Sequence, residues 1–319
     1  MKKIAVVTAG GDAPGMNAAI RSVVRYAVSK NIETIGVMRG WWGLINEELK
    51  PLDRRSVSGI ISQGGTVLKT ARCPEFRTKE GQARAFNTVK KNKIDGLVAI
   101  GGNGTFSAAH SFYKNHKVAC IGIPASIDND INGIEQTIGS DTAINTALYA
   151  IDNIRDTATS MERVFVVEVM GRGCGYIALE VAIAAGCEEV IIPERKYNLT
   201  SICQDIVEGN LRGKLSWILV VAEGAASAYE IAKKITKITR LETRAIVLGH
   251  VQRGGRPTAL SRILAARLGE AAVDCLLRGL KDKAVSLKCG RIETVDFKKA
   301  ITGKKIEVDK SLDLIKTLT

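Results

Sequence analysis

Short apolar runs alternate with longer stretches of helical periodicity over most of the chain. The runs at residues 4–8, 34–38, 97–100, 119–123, 164–169, 189–192, 218–222 and 245–248 are rich in valine and isoleucine. Most are followed by glycine, proline or a charged residue. Unbroken hydrophobicity is what strands covered on both faces require, so the pattern predicts a doubly wound α/β fold with largely parallel strands. Two of the runs are alike: Val-Val-Thr-Ala-Gly-Gly (6–11) and Val-Val-Glu-Val-Met-Gly-Arg (166–172) each lead into glycine and then a helical pattern. They predict two similar units packed across a cleft, the chain crossing between them twice. Beyond Leu280 the pattern weakens, and a final helix is expected from about Ser311. In such folds ligands bind at the carboxyl ends of the strands, where the distinctive residues fall.

Composition narrows the class. The 319 residues, 45% of them hydrophobic, suffice for a large core and about two domains. No apolar run approaches the ~20 residues of a membrane-spanning helix. The opening MKKIAVVTAGGD enters a strand and a glycine turn rather than a leader cleavage site, so a soluble cytoplasmic protein is expected. The seven cysteines form no CxxC pair, and the three histidines (110, 116 and 250) form no ligand cluster with them. This usage suits a reducing compartment and argues against a disulfide framework or a zinc site. Cys73 stands apart, because Arg72 and Pro74 place it in a loop. The net charge of +13 is spread along the chain, with only short clusters such as Lys90-Lys91 and Lys298-Lys299 and no interleaved aromatics. It reads as a solvated face rather than a nucleic-acid surface.

Candidate chemistry lies in five segments. AIGGNGTF (99–106) is a strand that ends in glycines and turns into a helix, a common way to build a phosphate site. Asn103 stands at its centre, where a metal-dependent phosphate enzyme is expected to carry a carboxylate. TAGGDAPGMNAAIRSVVRYAV places Gly10, Gly11 and Gly15 between a strand and a long helix, which carries Arg21 and Arg25 on one face. Such a pair can grip a phosphate or form a solvated cationic stripe. In IGIPASIDNDING, Asp128 and Asp130 are two apart in what reads as an extended turn, so both carboxylates are expected to point the same way. An ordinary Asx-rich turn has the same spelling. VEVMGR (167–172) ends a strand in an arginine, and LGHVQRGG (248–255) ends another in a histidine and an arginine. Together they describe a site for a sugar phosphate receiving or losing a phosphoryl group. Neither a Walker phosphate loop nor a strict dinucleotide GxGxxG occurs.

The segments GGDAPGMNAA, TARCPEF, GGNGT, IDNDI, VEVMGR and VLGHVQRGG follow one another as in the bacterial-type ATP-dependent 6-phosphofructokinases, and the chain resembles that family over about residues 1 to 280. The resemblance implies two Rossmann-like domains: a larger ATP-binding one (1–138 with 252–305) and a smaller sugar-phosphate-binding one (139–251), followed by a C-terminal helix (306–319). It implies ATP as phosphate donor, Mg2+ as cofactor and fructose 6-phosphate as acceptor, phosphorylated at its 1-hydroxyl. Asp128 is then the base, Asp130 supports the metal or charge network, Arg172 stabilises the transferring phosphoryl group, and Ser126 keeps the hydroxyl of a family threonine.

By the same resemblance ATP lies against Gly11, Arg72, Cys73, Gly102, Asn103, Gly104 and Thr105. The sugar phosphate is met by Ser126, Ile127, Asp128, Arg163, Met170, Gly171, Arg172, Glu223, Arg244, His250, Val251, Gln252 and Arg253. Arg163 and Arg244 are contributed by a neighbouring subunit, which implies a homotetramer. Arg21, Arg25, Arg54, Arg155, Gly186, Glu188, Arg212 and Lys214 match an effector site for ADP or phosphoenolpyruvate. Pyrophosphate-using relatives carry aspartate where this chain has Gly104 and lysine where it has Ala125, so both positions favour ATP. Several positions depart from the family: Asn103 for a magnesium-associated aspartate, Ser140 for phenylalanine, Met161 for histidine, Leu215 and Ser216 for Lys-His, and Arg256 and Ser261 in the last motif. A regulatory subunit with weakened catalysis, or a kinase for another sugar phosphate, stays open at this level.

Overall fold

The apolar runs are strands whose two faces are both covered. In the computed structural model, which describes residues 1–304 and 306–319, the first of them, KIAVVT, is buried from Ile4 onward. The chain begins β1 (Lys3–Thr8), α1 (Met16–Ser29), β2 (Glu33–Val37), α2 (Trp41–Ile45), β3 (Leu49–Leu52), α3 (Lys79–Lys91), β4 (Gly96–Gly101), α4 (Asn103–His116), β5 (Cys120–Ser126), β6 (Ile138–Gly139) and α5 (Ser140–Met161). It continues β7 (Val164–Val169), α6 (Tyr176–Ala185), β8 (Glu189–Ile191), α7 (Leu199–Leu211), β9 (Trp217–Ala222), α8 (Ala228–Thr239) and β10 (Thr243–Val247). The remainder is α9 (Ala259–Leu277), β11 (Lys283–Lys288), β12 (Arg291–Asp296), α10 (Phe297–Ala300) and α11 (Val308–Leu318).

Two units result, Met1–Thr142 with Arg253–Lys305, and Ala143–Gln252 with Ile306–Thr319. The boundary expected at residue 305 lies outside the described residues. The first unit holds a sheet of order β12-β11-β5-β4-β1-β2-β3, with β6 on β5. It is parallel except at its two edges, where β3 and β12 pair antiparallel. The second unit holds a parallel sheet of order β10-β7-β9-β8. No helix among the described residues is long and apolar enough to cross a membrane.

The tail is more ordered than its weak pattern foretells. β11 and β12 form a hairpin whose two turn residues, Cys289 and Gly290, both have positive φ, the geometry that suits the twist of paired strands. β12 is exposed at all but one position, so no apolar run marks it. The final helix begins three residues before the expected Ser311.

The tail also supports the helix that follows the central glycine loop. Phe297 at the start of α10 and Phe106 in α4 are fully buried, with ring centroids 5.0 Å apart. Both rings cover Gly122 of β5, where a Cβ would lie 2.5 Å from one and 2.6 Å from the other. Truncating Phe297 therefore leaves a void directly under α4. We expect Phe297→Ala to destabilise the larger unit by about 3–5 kcal/mol. Urea unfolding followed by tryptophan fluorescence would measure it, and a loss below about 1 kcal/mol would contradict this packing.

Candidate active site

β4 and α4 are separated only by Gly102. The close turn depends on Gly101: a Cβ there would lie 2.3 Å from Thr105 Oγ1 and 2.4 Å from the carbonyl oxygen of Ala9. Thr105 Oγ1 donates to that same carbonyl at 2.8 Å, tying the first turn of α4 to the end of β1. Gly102 is the N-cap residue and supplies no side-chain acceptor, so the leading amides of α4 are available to an anion. A Cβ on Gly104 would meet nothing within 4 Å. The space above the loop is open.

That space belongs to a cavity of about 730 Å³ at the carboxyl ends of β1 and β4. Gly10, Arg72, Cys73, Arg77, Gly104 and Thr105 line it. Trp41 and Phe76, stacked with centroids 4.5 Å apart, also contribute to its wall. Its size suits a nucleotide. Burial pushes the Cys73 thiol up, so it packs as a small apolar group rather than acting as a thiolate. Gly11 is pressed against Arg253, whose Nη1 lies 2.5 Å from where a Cβ would be and donates to the Asp12 carbonyl at 3.2 Å. Trp41, Phe76, Ser107 and Ser111 also stand on this wall and are not among the residues expected there from the sequence. A Trp-Trp pair in a chain with three tryptophans was the available signal.

Beyond β5 the chain turns through Ser126, Ile127, Asp128, Asn129 and Asp130. The turn is not extended as expected, because Asn129 adopts φ 49°. Its buried side chain holds the turn, donating to the Glu135 carbonyl at 3.1 Å and accepting from Thr137 N at 3.0 Å. The two carboxylates are therefore not aligned by strand alternation, and Ser126 relates them instead. Its Oγ accepts from Asp128 N at 3.2 Å and donates to Asp130 Oδ1 at 3.3 Å. Asn103 Nδ2 donates to Asp130 Oδ2 at 2.7 Å, joining the glycine loop to this turn. Asn103 Oδ1 is buried without a hydrogen-bond partner among the described residues. Ser140 and Ser261 are buried and hydrogen-bonded inside the unit, Ser140 to Thr137 and Ser261 to Thr142, so both read as packing.

In the smaller unit, Met170, Gly171, Arg172 and Glu223 gather at the carboxyl ends of β7 and β9. Glu223 N donates to Val169 O at 2.9 Å and Gly224 N to Gly171 O at 3.2 Å. The approach is so tight that a Cβ on Gly224 would lie 1.8 Å from the Arg172 carbonyl oxygen. Gln252 is fully buried; its amide accepts from Met170 N at 2.7 Å and donates to Ala143 O at 3.3 Å. It supports Met170 from behind, and its side chain is not available to a ligand. His250 and Val251 are exposed in the turn Gly249–Arg253. Arg163 and Arg244 lie elsewhere. Arg163 precedes β7 and Arg244 is the second residue of β10, both at the amino end of this sheet.

Of the residues matched to an effector site, Arg155 Nη2 donates to the carbonyls of Ala185 and Gly186 at 2.6 and 3.0 Å. The nearby Glu188 carboxylate, 5% exposed, pairs with Lys214 at 3.2 Å. Burial pushes the thiol of Cys187, between Gly186 and Glu188, up to about 12. Arg212 is exposed beside Glu208. In the larger unit Arg21 and Arg25 are half-buried on α1, Arg25 Nε lacks an acceptor among the described residues, and Arg54 is exposed.

The sequence profile described as Phosphofructokinase matches residues 3–276. An ATP-dependent 6-phosphofructokinase of Clostridium acetobutylicum is 51% identical over 301 residues, covering 94% of this chain and 94% of that protein. One of Clostridium botulinum is 49% identical over 313 residues, covering 98% of this chain and 96% of that protein. Among solved structures, phosphofructokinase from Saccharomyces cerevisiae aligns with a TM-score of 0.89 at 34% identity, over 94% of this chain and 45% of the longer yeast chain.

The β4–β1 approach can be tested by itself. Gly101→Ala forces Thr105 away from Ala9, and we expect a loss of about 1–3 kcal/mol, the usual cost of overpacking. Amide hydrogen exchange at residues 103–106 should quicken at the same time. Unchanged exchange there would show that the close contact does not set the loop.

Proposed function

Because the chain belongs to the phosphofructokinase family, we propose that its larger unit binds ATP in the cavity above Gly104 and that Asp128 serves the acceptor sugar as base. The reaction is the ATP-dependent phosphorylation of fructose 6-phosphate to fructose 1,6-bisphosphate, a step of glycolysis. The observation that carries the assignment of roles is the hydrogen bond from Asn103 Nδ2 to Asp130 Oδ2, which ties the phosphate loop to the carboxylate turn. Donor and acceptor groups are then held at one place, which is most of what a loose phosphoryl-transfer transition state asks of a protein.

Asp128 takes the proton of the 1-hydroxyl as that oxygen attacks the terminal phosphorus, and ADP departs with the bridging electron pair. In this reading the role of Arg172 is to stabilise charge on the transferred group, and that of the leading amides of α4 is to hold the nucleotide phosphates. Magnesium suits the oxygens present: the partnerless Asn103 Oδ1 beside the Asp130 carboxylate offers the one or two protein ligands this ion usually takes, with phosphates and waters as the rest. Bound there, it would neutralise charge on the nucleotide phosphates.

The placement of Arg163 and Arg244 supports assembly into a homotetramer. A strand of six residues such as β7 spans about 20 Å, so the arginines at its amino end cannot share one phosphate with Met170 and Arg172 of the same chain. A second copy would have to supply them. The basic groups around Gly186 and on α1 support a site for ADP or phosphoenolpyruvate. Seven free cysteines suit a cytoplasmic location.

A coupled assay of ATP- and magnesium-dependent fructose 6-phosphate conversion tests the base. Asp128→Asn should lower kcat by about 10²–10⁴-fold with little change in nucleotide KM. An unaltered kcat would remove Asp128 from the mechanism. Asn103→Asp tests the metal end through stability as well as activity. It sets a second carboxylate against Asp130, and two negative charges this close repel unless a cation lies between them. At neutral pH without magnesium we expect the variant to lose about 1–3 kcal/mol in thermal unfolding. Magnesium should restore that loss, and the variant should saturate at lower magnesium in the assay than the parent. Equal magnesium response in both proteins would refute this placement of the ion.

A further inference from the structure

The two arginines at the amino end of the smaller sheet do not stand alone. They converge on one carboxylate, Glu242, in the turn between α8 and β10. Glu242 Oε2 lies 2.9 Å from Arg163 Nε, and Oε1 makes a close ion pair with Arg244 Nη2. The Glu242 backbone carbonyl accepts from Val164 N at 3.1 Å, so the turn is fastened to the start of β7, next to Arg163. Met161 completes the group, its sulfur 2.9 Å from Arg163 Nη1. A thioether is a weak acceptor that carries no charge.

The arrangement is open to solvent. The Glu242 side chain is 45% exposed, Arg244 59% and Arg163 21%. Desolvation pushes the Glu242 carboxyl up, but the close contacts and charges of Arg163 and Arg244 outweigh it and hold the carboxyl below its ordinary value. The contact to Arg163 Nε is close but poorly aligned as a hydrogen bond. Each guanidinium has five N–H groups in a planar fork, and the carboxylate and sulfur leave most of them unspent.

Two guanidiniums held this near one another, one just before β7 and one on β10, repel unless an anion lies between them. We propose that Glu242 is a positioning residue for sugar-phosphate binding: it bridges Arg163 and Arg244 and presents their unspent N–H groups as one receptor for a dianionic phosphate. This rests on the reading that Arg163 and Arg244 bind the sugar phosphate. Glu242 touches no reacting atom. Its effect is to keep the receptor assembled before the phosphate arrives, so that binding need not first bring two like charges together.

Steady-state kinetics of Glu242→Ala, Glu242→Gln and Arg244→Ala test it, each variant checked by thermal unfolding. Glu242→Ala should raise the half-saturating fructose 6-phosphate concentration about tenfold, the effect of losing one charge-assisted hydrogen bond. Its kcat should fall far less, and its nucleotide KM should stay near the parent's. Glu242→Gln, which keeps an acceptor oxygen but loses the charge, should fall between. In the Glu242→Ala, Arg244→Ala double variant the two effects should not add, because the carboxylate acts through the arginine. If Arg244→Ala raises the half-saturation and Glu242→Ala leaves it unchanged or lowers it, Glu242 has no positioning role. If Arg244→Ala leaves it unchanged, the assignment of the arginines to the sugar phosphate fails first.

Discussion

The glycine loop after β4 depends on how closely the carboxyl end of β4 can lie against that of β1. Gly101 has no side chain to keep them apart, so Thr105 reaches the Ala9 carbonyl and α4 starts directly over the strand end. Phe297 packs on the same helix through Phe106. A helix fastened at two neighbouring residues of its first turn can leave its first amides uncapped. Those amides are fixed donors, and fixed donors lose little on meeting a phosphate.

Strands buried on both faces announce themselves in the sequence, because every position must be apolar; β1, β4, β7 and β9 were legible for that reason. Edge strands meet no such demand. β12 is exposed at five of its six positions and β3 contains Pro51, which suits an edge but breaks an apolar pattern. The motifs located the glycine loop and the carboxylate turn, yet the turn's shape was misread because Asn129 takes a left-handed backbone that spacing does not reveal. Gln252 was read as a ligand, whereas its amide is spent on Met170 and Ala143. Glu242 carried no signal: its partnership with Arg163 joins residues far apart in the chain and exists only once β10 lies beside β7.

Charge placement follows a common logic in each of the two units. A net charge of +13 reads along the chain as scattered lysine, but several arginines are held by specific acceptors. Arg253 is spent partly on the Asp12 carbonyl, Arg155 on the carbonyls closing α6, and Arg163 and Arg244 on Glu242. Each keeps part of its fork free. An orientation fixed by a neighbouring acceptor turns a floppy cation into a directional one.

The hairpin of β11 and β12, with α10 behind it, bears on how the chain comes to be folded at all. These segments join β5 and α4 across more than 150 residues of intervening sequence, whereas the sheet of the smaller unit is drawn from one continuous stretch. During synthesis that stretch can collapse while the ribosome still holds the last third of the larger sheet's edge. The contact of Phe106 with Phe297 can form only after the chain has been made almost to its end. The glycine loop, encoded in the first third of the chain, thus receives its last packing partner only near the end of synthesis.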